Sequence, residues 1–149
     1  MSTEFKHIVR LAGRDLDGTR RVAYALTQIK GINLRLADAI VKKAEISPDK
    51  RLGNLSESEI RRIEDTILNL SSSGLPNWLL NRRKDLETGK DIHLITSDLD
   101  LKVKEDIERE KAIKSWRGYR HSYGLKVRGQ RTRTTGRKGK TVGVKKRRR

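Results

Sequence analysis

The sequence predicts a mainly α fold: a helical body, a long C-terminal helix and an extended basic tail. Three observations carry this. Apolar residues recur at helical spacing in four stretches. Glycine and proline turn signals separate those stretches. Charge then splits the chain in two. Lys111 to Arg149 holds 16 Lys and Arg and no acid, whereas the first 110 residues hold 20 bases and 19 acids. A near-neutral body therefore carries a polycation, and a polycation points to a dense run of phosphates as partner.

Taken in order, Phe5–Leu11 reads as a short strand or an anchored arm that ends at Ala12-Gly13. Asp17-Gly18 is a cap and turn signal, and Val22, Ala25, Leu26 and Ile29 place a helix over roughly 18–29. It stops at Gly31. Leu36, Ala37, Ile40, Val41 and Ala44 form the stripe of a second helix, which Ser47-Pro48-Asp49 breaks. Ser56 with Glu59 has the spacing of a capping box, and Ile60, Ile63, Ile67 and Leu70 follow as a third stripe. Asn77–Leu80 is read as a short helical turn burying Trp78. Glu87–Lys90 is a turn, and Ile92–Thr96 has strand character, as half of a small hairpin. Ser97 with Asp100 starts a last helix, whose face of Leu99, Val103, Ile107 and Ile113 runs to about Trp116. From Gly118 onward the periodicity is lost, and the segment alone cannot bury enough apolar surface to order itself. The expected organisation is a helical body at 1–74, an insertion with a candidate hairpin and the long helix at 75–116, and a basic tail at 117–149.

The chain is 149 residues long with a pI near 10.6 and no cysteine. Disulfides and cysteine zinc sites are thereby excluded, and a reducing cytoplasm is the expected setting. No lipidation signal, secretory h-region or ~20-residue apolar span appears. His7, His93 and His121 are scattered, and neither long Gly-rich phosphate fingerprint is present. The expectation is no enzyme, no cofactor, no metal, no membrane and no small-molecule substrate.

Four features are candidates for nucleic-acid contact. The turn Gly31-Ile32-Asn33 between two helices is similar to hairpins that grip a nucleic-acid backbone, and reads equally as a plain connection with a glycine C-cap. Asn33 stands where such hairpins often carry a second glycine. Trp116 to Gly124 gathers three of the chain's six aromatics among bases. There Arg117, Arg120 and His121 are assigned to nucleic acid, and Trp116 to the core. Val127, Arg128, Gly129, Gln130, Arg131, Thr132, Arg133, Thr134, Thr135, Gly136 and Arg137 mix guanidinium forks with hydroxyl, amide and glycine positions that suit a sugar-phosphate chain. The terminal Lys145, Lys146, Arg147, Arg148 and Arg149 are a localisation signal, a non-specific anchor or a specific extension.

Three stretches resemble the universal family of small-subunit ribosomal protein thirteen: Arg10–Leu16, Ala25–Ile32, and above all Tyr119–His121 continuing through Gly124–Thr134. Leu75–Arg82 with the Lys84–Asp98 stretch, and the run Thr134–Val144, look like the archaeal and eukaryotic branch. Lys126 replaces a proline typical of bacterial members. The resemblance implies a helix-two-turn-helix body in the head of the small subunit. It implies an rRNA-contacting segment at Arg117–Arg137, Lys126 included, and a C-terminal end near P-site tRNA, with Lys145–Arg149 as the tRNA-proximal residues. A neighbouring head protein and a large-subunit bridge are implied as further partners. Two other classes compete: a DNA-binding or DNA-compacting helix-hairpin-helix protein, and a base-excision glycosylase. The glycosylase reading lacks the catalytic N-terminal residue and the cysteine zinc finger usual in that class.

Overall fold

The computed structural model describes residues 5–135 and Gly143. It divides into two compact units, residues 1–100 and 101–149.

The first unit opens with a hairpin. Strands β1 (Ile8–Leu11) and β2 (Arg14–Asp17) pair antiparallel, Val9 opposite Leu16 and Leu11 opposite Arg14. The two-residue turn has Ala12 at φ 49° and Gly13 at φ 74°, the left-handed pair that matches strand twist. Alternation buries Val9, Leu11 and Leu16 and leaves Ile8 exposed.

Helix α1 (Val22–Leu26) is shorter than the predicted 18–29. Its predicted first turn is drawn into other pairings. Gly18 N–H donates to His7 O (2.7 Å), Leu52 N–H to Arg20 O (2.9 Å), and Arg21 is extended opposite Arg51. After Leu26 the chain tightens into three-residue turns, with Ile29 N–H on Leu26 O and Ile32 N–H on Ile29 O.

Helix α2 (Leu34–Lys43) buries the predicted stripe, Leu36, Ala37, Ile40 and Val41. It ends before Ser47-Pro48. Glu45, at φ 56°, lets Ile46 N–H reach Val41 O and its own N–H reach Lys42 O, a Schellman closure. Helix α3 (Glu57–Leu68) starts with the expected capping box. Ser56 N–H donates to Glu59 Oε2 (2.9 Å), and Glu59 N–H to Ser56 Oγ (3.3 Å). Lys50 Nζ, 2.8 Å from Glu59, leads the Ser56 amide in lowering the Glu59 pKa. Leu11, Leu16, Leu26, Ile29, Ile40, Leu52 and Ile63 close the core of this unit.

Residues 75–95 are built by polar contacts. A 3₁₀ turn at Asn77–Leu79 forms as expected, but it buries Leu80, not Trp78, which is 70% exposed. The predicted hairpin is reduced to one bridge, Arg82 with Ile92. Asp85, only 4% exposed, organises the loop. It accepts from Arg82 Nε (2.5 Å) and Thr88 Oγ1 (3.0 Å), and the Arg82 contact holds its carboxyl down at about 2.

Helix α4 (Thr96–Ala112) stops four residues before the predicted end at Trp116 and buries none of its side chains. In the second unit Lys114, at φ 57°, closes it, with Ser115 N–H on Glu110 O and Lys114 N–H on Lys111 O. Ser115 then caps a new helix, α5 (Trp116–Ser122), in the segment predicted to lack structure. Gly118, which reads as a breaker in sequence, is the point of closest approach. A Cβ there would lie 2.1 Å from Glu110 O. Gly124, at φ 63°, ends α5 by a Schellman closure like that of α2, with Leu125 N–H on Arg120 O (2.9 Å). No helix among the described residues is long and apolar enough to cross a membrane.

Candidate nucleic-acid interface

The Schellman turn at Gly124 sends the chain back beside α5. Arg120 Nε fastens the returning strand by donating to Lys126 O (2.9 Å). Between α5 and this return lies an open groove of about 600 Å³, lined by Arg117, His121, Leu125, Lys126, Val127, Arg128 and Gln130. Five of the predicted contact residues thus meet on one concave surface, and no carboxylate lines it. Arg117 and His121 stand one helical turn apart, so they share a face. Lys126, Arg128 and Gln130 bring exposed polar groups to the same groove, beside the half-buried Leu125 and Val127.

Gly129, at φ 69°, turns the chain where an added Cβ would meet nothing within 4 Å. Arg131, Thr132, Arg133, Thr134 and Thr135 continue beyond the groove and are exposed. Gly136, Arg137 and Lys145–Arg149 lie outside the described residues.

The aromatic residues differ from expectation. Trp116 is 71% exposed and not in a core, because α5 packs on α4 through Gly118 instead. Tyr119 and Tyr123 are exposed as well, at 51% and 64%. The rings form a row: Trp116 and Tyr119 stack at 5.5 Å and 11°, and Tyr119 meets Tyr123 at 4.7 Å. The Arg120 guanidinium lies 5.9 Å from the Trp116 ring centre. Spacings of three and four residues were the signal in the sequence for one shared face.

The hairpin turn belongs to the other unit and to a different groove. Gly31, Ile32, Asn33, Leu36, Leu79, Asn81 and His93 line it. Gly31, at φ 102°, would place a Cβ 2.6 Å from Leu94 O, so glycine here permits close approach of the 93–95 segment. Asn33 caps α2 by accepting from Leu36 N–H (2.9 Å). His93 Nδ1 accepts from Asn81 N–H (3.2 Å), so Nε2 carries the proton and donates to Gly31 O (3.1 Å). Burial lowers the His93 pKa, opposed by the Gly31 bond. Among the described residues no cluster of three His, Asp or Glu side chains is arranged to hold a metal.

The family model described as ribosomal protein S13/S18 matches residues 10–138. The chain is also similar to curated proteins called small ribosomal subunit protein uS13. The one from Saccharolobus solfataricus is 56% identical, over 97% of this chain and 87% of that protein. The one from Staphylothermus marinus is 57% identical, over 97% and 96%. The one from Methanothermobacter thermautotrophicus is 47% identical over the full length of both.

Proposed function

Because the chain belongs to the ribosomal protein S13/S18 family, we propose that it is a structural constituent of the small ribosomal subunit, and that it lays the α5 groove on small-subunit rRNA. The observation that supports this reading is the meeting of Arg117, His121, Lys126, Arg128 and Gln130 on one acid-free groove. Guanidinium and ammonium groups there replace the counterions of successive phosphates, and the groove orients them without catalysis. Arg131, Arg133 and the threonines beside them extend the contact along the backbone.

The family resemblance supports finer assignments. The body at 1–74 faces the large-subunit bridge, and the chain touches a neighbouring head protein. Gly31–Asn33 offers a second backbone contact. Lys138–Arg149 reaches toward P-site tRNA with Lys145–Arg149 at its tip. The setting is the cytoplasmic ribosome.

Binding of the full chain to a small-subunit rRNA fragment tests the groove. If ~6–10 phosphates are engaged, affinity falls about 10³–10⁵-fold between roughly 50 and 200 mM salt. Replacing Arg117 and Arg128 by Gln lowers the log–log slope by about 1 for each phosphate no longer neutralised. A flat salt dependence would count against the phosphate mechanism. Equal affinity for duplex DNA would favour the DNA-binding alternative.

A further inference from the structure

We infer that Trp116, Tyr119 and Tyr123 form a stacking platform for unpaired RNA bases, set beside the phosphate groove so that one strand engages both. The inference rests on the RNA-binding reading of that groove and adds a second chemistry to it.

A helix that exposes three large rings on one face, at 71%, 51% and 64%, leaves apolar area that the described residues of its unit do not cover. Packing among the described residues does not explain them. Helix α5 meets α4 through Gly118 and Ser115, and the rings lie at the spacing of another face. They are already ordered in a row, with Trp116 and Tyr119 within 11° of parallel. A flat ligand extends such a row without reorganising it, and offset stacking is the preferred geometry of aromatic surfaces.

Charge decides which flat ligand. Arg120 borders the row, 5.9 Å from the Trp116 centre, and fastens the strand that carries Lys126 and Arg128. No acid follows Glu110 in the sequence. An apolar protein surface would gain nothing from this cationic border, whereas a nucleotide brings a ring and a phosphate together. Stacking on a helix face needs a base freed from its pair, so the ligand is single-stranded or a bulge, not a continuous A-form duplex.

The test uses the full chain carrying Trp78→Phe, so that Trp116 is the sole tryptophan. The probes are an adenylate oligomer of about 12 nucleotides, within the usual span of single-strand sites, and an RNA duplex of equal length. The single strand should quench Trp116 emission and the duplex should not. In a parallel series with Trp78 intact, Trp116→Leu/Tyr119→Leu should lose about tenfold or more on the single strand and keep its duplex affinity and its salt slope. Trp116→Phe/Tyr119→Phe keeps the rings and should retain single-strand binding, which separates a lost platform from a lost fold.

Undiminished single-strand affinity of the Leu variant, or unquenched Trp116, would overturn the inference. If that variant then failed to enter small subunits, the row would be a protein-docking face instead. An equal loss on duplex would also overturn it, because a platform discriminates between the probes. Binding of neither probe by the parent chain would sink the groove reading itself, and the platform with it.

Discussion

His93 and Gly31 are joined across 62 residues of sequence by one hydrogen bond, Nε2 to carbonyl at 3.1 Å. The bond ties the insertion to the turn between α1 and α2. The neutral ring is required by the second contact, because Nδ1 accepts the Asn81 amide proton. Protonating Nδ1 would place two N–H groups face to face. Burial, opposed by the Gly31 bond, holds the folded pKa below the ordinary value of 6.5.

A depressed histidine pKa contributes stability that is present above about pH 6.5 and is lost as pH falls through the folded value. The first unit should melt at a lower temperature at pH 5 than at pH 7.5. His93→Gln should remove much of that difference, and NMR titration of His93 should give a midpoint below 6.5. A midpoint above it would contradict the buried neutral ring.

Asp85 has the same sign at lower pH. The Arg82 guanidinium leads in holding its carboxyl at about 2, from 3.8, with Thr88 adding hydrogen bonds. Its contribution is complete above about pH 4 and is lost as pH falls through about 2. Amide exchange in residues 82–92 should accelerate over that window. Asp85→Asn should show the faster exchange already at neutral pH.

Gly118→Ala probes the corner between α4 and α5. Its Cβ would lie 2.1 Å from Glu110 O and 2.8 Å from Lys111 Cα, and backbone cannot yield as a side-chain tip can. Overpacking of this kind costs about 1–3 kcal/mol. Exchange protection of the Tyr119 and Leu125 amides should fall, while the core around Leu26 and Ile40 keeps its own. RNA affinity should drop with the corner, because Arg117 and Arg120 depend on it for position.

Helices α2 and α3 were legible in the sequence because each carries its own evidence: the Leu36-to-Val41 stripe, and Ser56 with Glu59. Strand β2 was not, since Arg14–Asp17 holds one apolar residue, Leu16, and forms only because β1 is there to pair with it. The start of α1 was misplaced because residues 18–21 pair with His7 and with 51–53, a tertiary fact. Helix α5 was missed for a related reason: Gly118 costs helix propensity locally but is demanded by the Glu110 carbonyl. Local motifs named Arg117, His121 and Arg128, and the family resemblance added Lys126. Neither could show that a Gly124 turn folds them onto one groove, or that Trp78 and Trp116 stand outside the core.

Two parts of the basic segment should have separable roles. Arg128 lies in the groove, and Arg131 and Arg133 follow it in the exposed segment after Gly129. Lys145–Arg149 comes after the signature motif in the sequence and carries five successive charges. If the groove anchors the protein and the end serves tRNA, the two respond differently to removal. Arg128, Arg131 and Arg133 replaced together by Ala should reduce incorporation into purified small subunits. With ~3 phosphates no longer neutralised, the log–log salt slope should also flatten by about 3. Deleting Lys145–Arg149 should leave incorporation near normal and speed dissociation of P-site tRNA. Normal occupancy of the triple variant would remove the groove from assembly, and failed incorporation of the deletion would show that the terminal charges anchor the protein too.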